Sequence, residues 1–184
     1  MKFFAPQKKK SISYQLSAIS CSRGFTFVET LVAIASLLLA IVAPLSLVYQ
    51  SLAASRVARN QVTAIYLAQE SIEFIRGTRD NNALSGGTWV LGLEDCWGSK
   101  KACYIDIPDA EVAACTDGCP TLGYDPERYL YGYGDGTEDT VFVRTIRMEE
   151  LQPDVEFEIT VEVAWHEGTS EKNITVSDYI YNWQ

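Results

Sequence analysis

The 24 residues from Phe25 to Val48, FTFVETLVAIASLLLAIVAPLSLV, contain a single ionisable side chain. No other stretch of the chain limits its folding options as tightly. Wound into a helix, the segment would be about 36 Å long, more than a bilayer's hydrocarbon core of about 30 Å. It therefore predicts a membrane-crossing helix. The residues before it include Lys2, Lys8, Lys9, Lys10 and Arg23 but no acid. That bias predicts a cytoplasmic N-terminus, with the chain beyond about residue 50 outside. A cleaved secretory signal fits poorly, because the residues that resemble a cut site, Ser22-Arg23-Gly24, precede the apolar run instead of following it.

Charge is distributed in three blocks. Of a net −9 over 184 residues, residues 1–24 carry +5, residues 25–80 are neutral, and residues 81–184 carry −14. A basic leader, a neutral stalk and an acidic head imply three different surroundings. An acidic head also argues against general nucleic-acid binding, which needs clustered basic surface. With His166 as the only histidine, most His-based catalytic and metal schemes are removed. The chain has no Ser/His/Asp set, no phosphate-binding Gly loop and no metal-ligand cluster, so it reads as a non-enzyme.

Glu29 is the one charge in the apolar run. A carboxylate inside a membrane span costs about 2.5–3.5 kcal/mol when central and less near an end, so it should have a partner. The span itself offers none. If the chain were cut after Gly24, however, Phe25 would carry a free α-amine and Glu29 would be the fifth residue, one helical turn away. A neighbouring subunit's amine could serve equally.

Basic leader, Gly24, then Phe25-Thr26-Phe27-Val28-Glu29 and an uninterrupted apolar helix closely resemble the class III signal of type IV pilins and type II secretion pseudopilins. The resemblance implies cleavage between Gly24 and Phe25 by a prepilin peptidase, N-methylation of Phe25, and a role for Glu29 in recruiting and registering the subunit in a filament. ETLVAIASLLLAIVAP and the later LAQESIEFIRGTRD look more like minor pilins and minor pseudopilins than major ones. The 24-residue leader, longer than many major-pilin leaders, points the same way. The implied fold is α+β, with a long N-terminal helix packed on an antiparallel sheet. The implied partners are other pilin or pseudopilin subunits, the prepilin peptidase and an inner-membrane assembly platform. The implied location is a single pass in the inner membrane with the head outside, then a periplasmic or extracellular filament. The system served, whether motility, adhesion, DNA uptake or secretion, is not specified. A membrane-anchored binding or enzymatic head is the competing reading. Ala18-Ile19-Ser20-Cys21 only loosely resembles a lipobox, with the apolar run on the wrong side of Cys21.

Pro44 lies near, but not at, the spacing from the cut that major pilins usually show. Its ring removes the amide that would bond the Ala40 carbonyl, which predicts a kink or local melting. An extensible joint and a tolerated membrane-helix proline both fit. Beyond it, Ala54, Ala58, Val62, Ile65, Ala68, Ile72 and Ile75 form a stripe at helical spacing, so an amphipathic helix is expected over 49–77. Gly77 is its expected stop, and Arg79-Asp80-Asn81-Asn82 its following turn.

The head, 78–184, is expected to be an antiparallel meander. Val155–Trp165 alternates apolar and polar residues. Thr140–Met148 and Asn173–Trp183 flank it as strands, joined through Leu151–Asp154 and Glu167–Ser170. Shorter strands are expected at Thr88–Leu93 and Ala102–Ile107. Cys96, Cys103, Cys115 and Cys119 all lie in the exported part, where disulfides persist. Their C-x6-C and C-x3-C spacings do not match common zinc sites. Local pairing, Cys96–Cys103 and Cys115–Cys119, is the choice among three connectivities, and the others stay open. No cofactor is expected. Asp135, Glu138 and Asp139 offer a weak Ca²⁺ loop without EF-hand spacing. Tyr129–Tyr133 could form a contact surface or pack beneath the loop, and Asn173-Ile174-Thr175 is a formal glycosylation sequon.

Overall fold

The computed structural model describes residues 24–98 and 102–182. Residues 1–23, including Cys21, and Trp183 at the expected end of the last strand lie outside the described residues. The chain divides into two units, Met1–Val48 and Tyr49–Gln184. Among the described residues its elements are a helix, α1 (Phe27–Leu84), a 3₁₀ turn (Glu94–Cys96) and seven strands: β1 (Cys103–Asp106), β2 (Glu111–Ala114), β3 (Thr121–Asp125), β4 (Leu130–Gly132), β5 (Glu138–Gln152), β6 (Glu156–Glu167) and β7 (Ser170–Tyr181). All named pairings are antiparallel, so the class is α+β.

In the first unit, residues 24–48 are all exposed, and they are helical from Phe27 onward. α1 is the one helix among the described residues long and apolar enough to cross a membrane. It passes through Pro44 without a break, so the expected local melting does not occur. One missing amide donor can be absorbed locally.

In the second unit, α1 buries Ala64, Leu67, Ala68, Ser71, Ile72 and Ile75. These fall at the i, i+3, i+4 steps that make one helical face. The expected stripe is therefore only partly the buried one. Ala68, Ile72 and Ile75 belong to it, whereas Ala54 and Ala58 are exposed and Val62 is 51% exposed.

The helix also runs past Gly77, and Arg79–Asn82 lies within its last turns rather than in a loop. Tertiary bonds override the weak helix propensity there. Arg79 donates to the Tyr181 carbonyl at 2.9 Å, and the Asn82 amide donates to the Trp89 and Leu91 carbonyls at 3.2 and 2.8 Å. The stop comes at Gly86, whose φ of 70° suits a residue without Cβ.

The sheet is built around β5. Along one edge β5 pairs with β6, which pairs with β7, giving the expected meander. Its other edge is shared: β3 pairs with its first half and β1 meets it at Ile146, each extended by a hairpin partner, β4 or β2. On β6, Phe157, Ile159, Val161, Val163 and Trp165 are all buried, as the alternation requires. β5 presents Phe142, Arg144, Ile146 and Met148 to the same core.

Thr88–Leu93 is not a strand. Its Trp89, Val90 and Leu93 are buried, but the backbone closes successive turns, Leu91 amide to Thr88 carbonyl and Leu93 amide to Val90 carbonyl. The short strands β2, β3 and β4 had no sequence expectation.

Arg144 is wholly buried between α1 and the sheet. It donates to the Leu67 carbonyl (3.3 Å), the Glu70 carboxylate (3.1 Å) and the Ile105 carbonyl (2.7 Å). Arg144→Ala should lower the unfolding free energy of the full chain in detergent by about 2–4 kcal/mol, through lost bonds and a cavity. Arg144→Met should cost less, because an apolar side chain of similar volume avoids the desolvation penalty. Denaturant midpoints for the two variants check the ordering.

Candidate functional site

The N-terminal segment is set up by local hydrogen bonding. Gly24, Phe25 and Thr26 are non-helical and exposed. Thr26 then caps α1: its hydroxyl accepts from the Glu29 amide at 3.2 Å, and its carbonyl accepts from the Thr30 amide at 3.1 Å. A Thr at the cap with a Glu three residues on is the sequence of a capping box. That signal is legible in Thr26-Phe27-Val28-Glu29 without any tertiary information. Glu29 lies in the first turn, where the positive end of the helix dipole favours a carboxylate. Among the described residues it forms no ion pair. The Gly24–Phe25 peptide thus sits in exposed, extra-helical chain, and the helix begins two residues after it.

The apolar residues that follow are unpartnered. Phe25, Phe27, Leu39 and Leu45 are each more than 60% exposed, and Leu47 and Tyr49 likewise. Exposed apolar surface this continuous marks contact with membrane or with other chains.

In the head, Cys96 pairs with Cys103 and Cys115 with Cys119. The first bridge is buried and ties the 3₁₀ turn Glu94–Cys96 to β1; the second closes a short loop after β2. Loops this small remove little entropy from the unfolded chain, so the bridges pin local geometry.

Asp135, Glu138 and Asp139 do not form a loop together. Glu138 and Asp139 begin β5, opposite Tyr124 and Gly123, while Asp135 lines a separate small cavity. Among the described residues no group of three Asp, Glu, His or Cys side chains could hold a metal ion. The Tyr run splits as well. Tyr129 is 76% exposed, while Tyr131 and Tyr133 are half-buried and pack at a tilt against Tyr124 and Tyr104, with ring centroids 5.1 and 4.7 Å apart. Asn173 lies exposed on β7, donating to Glu162 at 3.0 Å. No family model matches the chain, and neither does any curated protein or solved structure.

Burial pushes the Tyr133 phenol above its usual pKa of 10.0, with the nearby Arg144 guanidinium pulling partly the other way and Asp106 adding to the rise. Tyr131 is raised too, chiefly by burial. A proton held more tightly in the folded state gives stability that is complete below the unfolded pKa and is lost as pH rises through the folded one. The full chain should therefore lose stability above about pH 10. Tyr133→Phe should lose less over the same interval, as read from thermal midpoints at pH 8 to 11.

Proposed function

We propose that this chain is a structural subunit of a cell-envelope filament, a minor pilin or pseudopilin, rather than an enzyme. On this reading it is inserted in the inner membrane through α1, cut between Gly24 and Phe25, N-methylated at Phe25, and assembled with like subunits through its apolar helix. The observation that carries the reading is the conjunction at the N-terminus. A cleavable-looking Gly–Phe bond lies in exposed, extra-helical chain, directly ahead of a capped helix with one carboxylate in its first turn.

Each part has a physical use. Exposed, non-helical backbone is what a peptidase can bind. Cleavage would place the new amine four residues before Glu29, where opposite charges can compensate each other in an apolar layer. The fully exposed apolar surface of residues 27–48 would be covered first by lipid and then by neighbouring helices. The acidic head would stay in water outside.

Mass spectrometry of the mature N-terminus tests this directly. A chain beginning with methyl-Phe25 is expected; an intact leader, or cleavage after the apolar segment, would favour the tethered-head alternative. Glu29→Ala should leave cleavage largely intact yet reduce recovery of the subunit in sheared filaments. Normal incorporation of that variant would remove the role assigned to Glu29.

A further inference from the structure

The turn after β1, the β3–β4 hairpin and the loop before β5 enclose a cavity of about 80 Å³. Asp106, Asp109, Asp125 and Asp135 all line it, against a single base, Arg128. Acidic clusters on a surface are usually just solvated, but Asp106 is different. It is 5% exposed. Its Oδ2 accepts from the Tyr133 amide at 3.2 Å, and its Oδ1 is buried with no hydrogen-bond partner. That oxygen faces Gly132 on the cavity wall: a Cβ on Gly132 would lie 2.9 Å from it. A bare, buried carboxylate oxygen is costly to leave unmatched.

The geometry points to a pocket for the cationic end of a lysine or arginine side chain presented by another protein chain. The ligand must be positive, because four carboxylates face one guanidinium. Arg128 does not neutralise them, since among the described residues it forms no ion pair. A compact metal ion suits the pocket less well, since no three carboxylates among the described residues could hold one ion. The carboxylates instead surround a space larger than one water, whose share of liquid volume is about 30 Å³. Pro108 and Leu130 add apolar wall, which suits the methylene stem of a basic side chain whose charged tip seeks the polar end. Asp125 is committed elsewhere, its Oδ1 accepting from the Glu127 and Arg128 amides. Asp109, which is exposed, is therefore the direct anchor, and the unmatched charge of the buried Asp106 adds to the attraction. The inference stands on the head alone and does not depend on the filament reading.

The test is a titration of the isotope-labelled full chain in detergent at fixed ionic strength, following the Tyr133 backbone amide by NMR. The probes are N-acetyl-Gly-Arg-Gly-amide, its lysine analogue and the neutral citrulline analogue. The basic peptides should give a saturable shift that citrulline does not. Asp106→Asn should weaken binding by about tenfold or more, as expected for removing a buried charge partner. Asp109 is exposed, so Asp109→Asn keeps the test open if the buried variant does not fold. The paired control Glu138→Gln with Asp139→Asn should bind normally. An unsaturable shift, equal response to citrulline, or binding indifferent to both Asp106 and Asp109 would overturn the proposal. So would millimolar Ca²⁺ saturating the pocket and displacing the peptides, which would make it a metal site.

Discussion

The head is organised around one buried cation. Arg144 sits on the core face of β5 with no exposure and spans three elements, reaching a helix carbonyl, a helix carboxylate and the β1 carbonyl of Ile105. A guanidinium offers five donors in a fixed plane, so it can hold α1 and the sheet at one spacing, where an aliphatic side chain would allow sliding. Its Glu70 partner is partly open to water, with the side chain 37% exposed. Burial is therefore costly on the Arg side only. Secondary bonds follow the same seam: Arg76 pairs with Asp178 of β7, and Arg79 bonds the end of that strand. The helix is docked along its last five turns by polar contacts flanking an apolar stripe.

That docking accounts for the places where local preference is overruled. Gly77, Asp80, Asn81 and Asn82 are poor helix formers, yet α1 carries them because Arg79 and Asn82 are bonded across to other segments. Thr88–Leu93 has strand-like composition, but Asn82 takes two of its carbonyls and leaves the backbone in turns. The neighbouring Trp89 and Trp97 rings then pack edge-on against Phe157 of β6. In each case the cost of a weak propensity, on the order of 1 kcal/mol per residue, is offset by contacts from distant sequence.

The acidity of the head also resolves into distinct environments. On the outer face of the meander Glu149 lies opposite Glu158, a like-charge pair that weakens the ladder slightly. Glu162 is better placed, with Asn173 and Arg147 beside it. Around the Gly132–Gly134 strand end four carboxylates line one small cavity and one of them, Asp106, is buried. Net charge alone distinguishes none of these.

Sequence by itself determined the membrane-compatible helix, the Thr26–Glu29 start signal, the α+β class and the β5–β6–β7 meander. These depend on composition and on periodicities of 3.6 and 2 within a single segment, so the residues that decide them are neighbours in the chain. The tertiary structure decided where α1 ends, which helical face is buried, how β5 shares an edge between β1 and β3, and which cysteines meet. It also revealed the two positions that matter most in the head. Arg144 occupies a core phase of a strand, where sequence gives no sign of Leu67, Glu70 and Ile105 waiting for it. Asp106 reads as one more acid in an acidic region, until a glycine from 26 residues later lets the β4 backbone close over it. Both depend on groups brought together only by folding, and pairing across such distances leaves no local pattern to read.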